Sequence, residues 1–409
     1  MISVVSLAVT ARLLGPEGRG IIAAATGWVG LFTSCGYLSL GQVALHTAAK
    51  SADETWLGPT FGSLVFMTCV VTLAGWVVAT GLYVFTGGGL FNGLSPSVLL
   101  LAFLALPLMI WESYGSSLLM AVNRLRVYNS AQLVGRSASF LAQTAAILLG
   151  GGVLSVLGAN LLGQGIVSAA GLRDLVARTK MLRFFHGPTL RGLLAGGAKL
   201  HLNAIGSVIV GSSQVLIINY FRGPEETAYY QLASQLVGVL MIVPHAASMV
   251  LFTEVAQAGP DGAWLNYRRI VFWTTLGVAG MSLAAALVGP WLILLVAGQK
   301  FIPAVRPFQL LLLTLIGMSL TFTMAPQWIG RGLFWQVSAL ALIVGGSNLV
   351  GSLVLVPKYG MYGAIWVTLV TYAVTVLVNG GLVLWCELRF RQQSSAKTAL
   401  DQPVSLRRT

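Results

Sequence analysis

ARLLGPEGRG at residues 11–20 and NYFRGPEETAYY at residues 219–230 are the stretches on which the reading of this chain turns. Gly15-Pro16-Glu17 returns as Gly223-Pro224-Glu225, 208 positions later, and each copy closes one long apolar segment and opens another. Glycine and proline stop one helix and start the next, and an acid at the new N-terminus suits the helix dipole. A short polar mark used twice at such an interval points to a duplicated unit.

The chain around these marks is 56% hydrophobic and 9% charged over 409 residues, with a mean hydropathy of +0.83. A soluble domain carries about a quarter charged residues, so no water-facing surface can be built from this composition. Between Glu54 and Glu112 there is no Asp, Glu, Lys or Arg. A bilayer crossing takes about 20 apolar helical residues, so that interval alone holds two crossings. The expected fold is therefore an all-α polytopic membrane protein. The net charge of +13 does not indicate a nucleic-acid partner, because the basic residues fall in loops between apolar segments. Cys35, Cys69 and Cys386 stand singly, with neither disulfide nor metal-ligand spacing, and no cofactor motif is present. Residues 1–10 lack the basic start of a signal peptide and read as the second half of a first span whose upstream portion is missing.

About twelve transmembrane helices are expected, the first truncated. The others fall near 21–48, 61–85, 98–122, a fifth span to about 149, a sixth to about 172, then 200–221, 228–252, 270–297, 308–329, 333–356 and 361–386. Pro107 can kink the fourth. Trp56, Trp111, Trp264, Trp291 and Trp335 lie near span ends, as interfacial anchors do. The connector 173–191 mixes five basic residues with large apolar ones, which suits either a helix on an anionic leaflet or a plain basic loop. The polar tail 389–409 reads as disordered.

Further matches support the duplication. Arg124 corresponds to Arg331, Val134-Gly135-Arg136-Ser137 to Val344-Gly345-Gly346-Ser347, and Gly158-Ala159 to Gly363-Ala364, in the same order. Six spans per unit give both halves one orientation, so the expected architecture is two parallel six-helix lobes, 1–172 and 192–388, with a cavity between them. Loops after even-numbered spans and the tail hold sixteen Lys and Arg, against six in loops after odd-numbered spans. That places both termini in the cytoplasm and both Gly-Pro-Glu loops outside, as structural connectors.

These residues resemble a known family. ARLLGPEGRG, the layout from Gly196 to Ala256 (GAKLHL, an apolar run, Gly-Pro-Glu, AYYQLA, VLFTEVA) and PKYGMYGAIWVTLVTYAV are similar to the polysaccharide (O-antigen type) flippases of the multidrug/oligosaccharidyl-lipid/polysaccharide exporter superfamily. The resemblance covers nearly the whole chain. It implies alternating access in the cytoplasmic membrane and translocation of a polyprenyl-diphosphate-linked glycan, in partnership with polysaccharide-assembly enzymes. Members often carry an Arg-Leu-Asp triplet before a Gln in the seventh span; here Gly211-Ser212-Ser213 precede Gln214, so no role of that acid carries over.

Such a protein breaks no bonds and needs a polar path for a glycan and a diphosphate. Ionisable groups within spans are the first candidates, because they are costly there. Glu112 and Arg136 lie 12 residues either side of Arg124, hence about 18 Å from that turn, and are expected to pair near mid-membrane. The pair reads as a cavity site or as a structural bridge. Arg136, matched by Gly346 in the second half, could fork onto a diphosphate. Lys199 and His201, at the mouth of the seventh span, could recruit it, although Lys199 equally reads as snorkelling to the interface. His245, beside Pro244, reads as a proton sensor or a packing donor. Gln143, Asn160, Asn203 and Gln214 could line a sugar path or bond between helices. The rival activities are a multidrug-type cation antiporter of the same superfamily, which wants more intramembrane acids, and a membrane glycosyltransferase or ligase, which wants carboxylates in a sizeable external loop. A non-transporting scaffold is the third.

Overall fold

The computed structural model describes the backbone of residues 2–50, 53–179 and 186–401, with side chains described over 5–49, 53–179, 186–198, 200–201, 213–333 and 335–392. Fifteen α-helices account for nearly all of it, and no strand occurs among the described residues. In order they are α1 (Ile2–Gly36), α2 (Leu40–Lys50), α3 (Leu57–Phe85), α4 (Pro96–Phe103), α5 (Leu106–Ala121), α6 (Leu125–Leu148), α7 (Val153–Arg178), α8 (Gly187–Arg222), α9 (Pro224–Leu240), α10 (Ile242–Gly262), α11 (Trp264–Ala297), α12 (Val305–Leu312), α13 (Thr314–Gly330), α14 (Phe334–Tyr359) and α15 (Met361–Asp401).

Six spans are individually long and apolar enough to cross a bilayer, and three pairs bent by 42–45° at short breaks bring the number to nine among the described residues. The pairs are α1 with α2, α9 with α10, and the 3-10 turn Gln299–Ala304 and α12 with α13. Each of the twelve segments expected from the sequence is helical, and α1 contains two of them, separated at Gly15. α6 is not among the nine, and it carries a polar face described below.

Gly15 (φ 69°, ψ −175°) and Gly223 (φ 82°, ψ −175°) take the same backbone conformation, one open essentially to glycine alone. Each is followed by a proline that begins the next helical stretch, as expected from the repeat. A third such turn, Gly259-Pro260-Asp261, was not anticipated; Gly259 (φ 74°, ψ 165°) breaks α10 near its end.

The chain divides into two compact units. The first comprises Met1–Leu232, Trp291–Ala304 and Ala341–Ala364. Its core joins Trp28, Phe61, Phe91, Phe103, Ile110 and Tyr114 from the first five helices and their connections. The turns that follow odd-numbered segments all belong to it, and polar contacts stitch them together. Gly20 packs so tightly on the Pro224 carbonyl that no Cβ fits there. Asn219 donates to the Asn92 carbonyl at 2.7 Å, while the Asn92 amide returns bonds to the carbonyls of Asn219 and Tyr220. Arg12 donates to the Leu295 carbonyl and Arg222 to that of Pro357, and Glu226 accepts from the Met361 backbone N–H at 2.8 Å. Glu225 accepts from the Tyr229 hydroxyl at 2.6 Å.

The second unit comprises Ala233–Pro290, Val305–Leu340 and Ile365–Thr409. Its core is built on Leu251, Val255, Trp264, Tyr267, Met324 and Cys386.

Several details differ from expectation. Trp111 and Trp264 are buried instead of anchoring at an interface, because their indole N–H groups find internal acceptors, the Ser168 carbonyl at 3.2 Å and Glu387 at 3.0 Å. Trp291 and Trp335 are exposed as anchors would be. The connector after Leu172 is no separate helix in its described parts: α7 continues to Arg178 and α8 begins at Gly187, capped by His186. Residues 180–185 of that connector lie outside the described residues. The tail is helical as far as Asp401, favoured by helix-forming Gln, Ala and Lys residues and by the Glu387–Arg391 pair one turn apart.

Candidate functional site

The site grows from a glycine contact. α6 and α7 meet at Gly135 and Gly163, where a Cβ on either residue would lie 2.6 Å from the other's carbonyl oxygen. This approach presses the turns on either side together, and those turns carry polar residues. On α6, Tyr128, Gln132, Arg136, Ser139 and Gln143 follow one another at intervals of 4, 4, 3 and 4, which places them on one helix face. The stripe rises about 22 Å, against about 30 Å for a bilayer core.

Each member of the stripe has a partner. The Glu112 carboxylate on α5 accepts from the Tyr128 hydroxyl at 3.0 Å and from the side-chain amides of Gln132 and Gln164. The Gln132 amide also donates to the Tyr128 oxygen at 2.9 Å. Arg136 Nε donates to Gln132 Oε1 at 2.7 Å, so the connection between Arg136 and Glu112 runs through Gln132. Ser139 donates to Asn160 Oδ1 at 2.9 Å, and the Gln143 amide donates to the hydroxyl of Ser6 on α1. A carboxylate can accept about four hydrogen bonds, and three neutral donors converge on this one. Gln143 is buried, whereas Arg136 is exposed.

At the end of this bundle, Arg124 pairs with Asp174 of α7 at 2.8 Å. The hydrogen bond and charge of Asp174 raise the Arg124 guanidinium above its ordinary pKa, which keeps it cationic.

The other candidates lie elsewhere. His201 is buried between α8 and the α1–α2 bend, and both its ring nitrogens are occupied. Nε2 donates to the Cys35 carbonyl at 3.0 Å, which leaves Nδ1 to accept from the Ser39 hydroxyl at 3.3 Å in the neutral ring. Tyr37 packs edge-on against the same ring. This is a joint between helices, because a buried imidazole with two protein partners has nothing left to offer a passing diphosphate. Gln214, also buried, donates to Asn348 Oδ1 at 2.6 Å and Ser352 Oγ at 2.9 Å, binding α8 to α14. His245 lies against the Phe322 ring, with centroids 4.2 Å apart. The side chains of Lys199 and Asn203 lie outside the described residues. Among the described residues, no three His, Cys, Asp or Glu side chains come close enough to hold a metal ion.

The residues of the stripe do not recur at the matching positions of the second half. With the repeat offset of 210 defined by Gly135 and Gly345, the five stripe positions fall on Ser338, Leu342, Gly346, Leu349 and Leu353; the offset of 207 takes Glu112 to Ser319. The signal for Tyr128, Gln132 and Gln164 was in the sequence, as polar residues at helical spacing inside a span, but only the glycine contact shows which of them meet.

Apolar helices joined by polar turns define a polytopic membrane protein. The structure is similar to an inward-facing multidrug resistance MATE family transporter of the MOP superfamily, with a TM-score of 0.73 and 15% identity over 97% of this chain and 96% of that one. It is also similar to the lipid II flippase MurJ in an inward closed conformation, with a TM-score of 0.75 and 13% identity over 98% and 91% of the two chains. At the sequence level, an uncharacterized membrane protein of Methanocaldococcus jannaschii is 26% identical over 199 residues, 46% of this chain; the match spans only 38% of that relative's length. The sequence profile described as "Polysaccharide biosynthesis protein" matches residues 9–306. The chain belongs to this polysaccharide biosynthesis family.

Proposed function

We propose that this protein moves a lipid-linked oligosaccharide or polysaccharide precursor across the cytoplasmic membrane by alternating access of two six-segment lobes, 1–172 and 192–388, with both termini in the cytoplasm. The observation that carries the reading is the stripe on α6, which lays hydroxyl, amide and guanidinium groups along about 22 Å of one helix face. Neutral hydrogen-bonding groups suit a sugar chain, and the exposed Arg136 guanidinium suits its diphosphate, which it can meet as a fork. Polar groups at this depth are supported only where they face protein or water, which makes the stripe a candidate wall of a hydrated path. Membership of the polysaccharide biosynthesis family supports the substrate class, and MurJ, a lipid II flippase of similar fold, supports the mode. Assembly enzymes that make or consume the glycan are the fitting partners.

A multidrug-type antiporter is the competing reading. It is less well supported by Glu112, the acid that should receive an organic cation, because its oxygens are already held by three donors within the protein. Reconstitution into vesicles with a fluorescent polyprenyl-diphosphate sugar tests the proposal. Leaflet exchange well above that of empty vesicles, lost in Arg136→Ala, is expected. Folded protein that exchanges no labelled lipid but exports ethidium would give the antiporter reading instead.

A further inference from the structure

A second charged cluster lies at one end of the helices of the second unit. Asp261, at the end of α10, binds Arg331 beyond α13 at 2.7 Å and Arg389 of α15 at 3.8 Å. Glu387 of α15 binds Arg268 of α11 at 2.9 Å and Arg391 at 3.0 Å, and accepts from the Trp264 indole at 3.0 Å. Trp385 lies under two of these groups, with the guanidinium carbons of Arg331 and Arg389 at 5.0 and 5.4 Å from its ring centre.

The first half carries a smaller cluster: Asp174 and Arg178 on α7 pair at 3.7 Å, and Arg124 stands where Arg331 does. There, two arginines meet two acids, Asp174 and Glu54. In the second half, four arginines share two acids.

A helix clamp needs one cation for each acid, so four guanidinium groups on two carboxylates leave two positive charges in excess. They are also accessible: the side chains of Arg268, Arg389 and Arg391 are 45%, 48% and 73% exposed. Arg331 is 5% exposed, and its Nη2 is buried with no hydrogen-bond partner among the described residues. The cluster sits at the ends of four apolar segments, and the exposed Trp385 is of the kind found at headgroup level. Guanidinium forks with spare donors beside an interfacial aromatic match a phosphate carried on a lipid.

We propose that Arg268, Arg331, Arg389 and Arg391, gathered around Trp385, form a binding site for the phosphate headgroup of an anionic lipid. Two lipids offer that chemistry, a bulk phospholipid such as phosphatidylglycerol and a polyprenyl diphosphate; only the second source rests on the transport reading above.

The test is lipid retention by the intact protein in neutral detergent, read by native mass spectrometry. Phosphatidylglycerol is expected to be retained over phosphatidylcholine, and Arg268→Gln with Arg389→Gln is expected to reduce that retention on the order of tenfold. The matching change in the first half, Arg124→Gln, should leave it unchanged. Competition by undecaprenyl diphosphate identifies the diphosphate lipid as the ligand, and its failure to compete identifies the phospholipid. Glu387→Gln separates binding from a purely structural role, because removing this acid should raise phosphatidylglycerol retention while the arginine changes lower it. Arg391→Gln, on the most exposed side chain, serves if the double variant does not fold. Equal retention of the two phospholipids, or arginine variants that are folded and unchanged, overturns the proposal. The readout involves no translocation, so a transport assay can fail without affecting it.

Discussion

Gly135 and Gly163 touch backbone to backbone, and the polar groups one turn away on α6 and α7 meet because of that contact. Gly135→Ala places a methyl group 2.6 Å from a carbonyl oxygen of the facing helix, where nothing flexible can yield. The helices must separate, at a cost of about 1–3 kcal/mol for overpacking. A lower thermal midpoint is expected, with transport reduced beyond the loss of folded protein. A thermal melt in detergent beside a vesicle assay checks both, and an unchanged midpoint would contradict the close approach.

Glu112 is an acceptor for three donors, so its loss should cost more than its partners' losses. Glu112→Ala leaves the donors of Tyr128 and Gln164 without an acceptor, at about 1–3 kcal/mol for each that stays buried, while Gln132 keeps the Tyr128 oxygen. Gln132→Leu leaves Glu112 two donors but breaks the route to Arg136. The exchanged pair Glu112→Arg with Arg136→Glu should not restore stability, because the two residues are joined through Gln132. Recovery to the wild-type melting temperature would instead show a direct ion pair.

The two Gly-Pro turns share a conformation that side chains resist. Gly15→Ala and Gly223→Ala should each destabilise by about 1–3 kcal/mol. Gly88 is also at positive φ, but with ψ of −5° it lies in the left-handed helical region that asparagine tolerates. Gly88→Asn should therefore melt close to wild type, while Gly15→Asn should not. Equal effects at the two sites would remove the distinction.

Gln214 serves as a tie between helices in the structure. Gln214→Leu should lower stability by about 1 kcal/mol, the usual scale of a polar bond between membrane helices, and leave transport per folded molecule unchanged. A loss of transport with an unchanged melt would return Gln214 to the sugar path.

The membrane fold was legible in the sequence because hydropathy and Gly-Pro punctuation are local signals. Gly15 and Gly223 could be matched by eye, and their conformations agree. Gly259-Pro260 has no match in the repeat, because its first-half counterpart is the sequence around Asp53, which has neither residue. The site was legible only in part. Glu112 and Arg136 stand out as charges in apolar segments, and their equal depth follows from helical rise. That Gln132 stands between them depends on side-chain direction and on the glycine contact with α7, and neither is written along one helix. The contacts of His201 depend on the fold in the same way. Its place near a span mouth suggested access to lipid, whereas the bend at Leu38 and Ser39 folds Cys35 and Ser39 over its ring.

The confinement of the α6 stripe to one half bears on how the protein came to differ from its own ancestor. Two identical copies would have offered two polar stripes and two balanced clamps. Here one half carries the stripe while its counterpart is Ser338 followed by leucine and glycine, and the other half gathers arginines around Trp385. The halves share the Gly-Pro turn conformation and differ in these polar groups. A chimera carrying two first halves would lack the arginine cluster, and one carrying two second halves would lack the stripe.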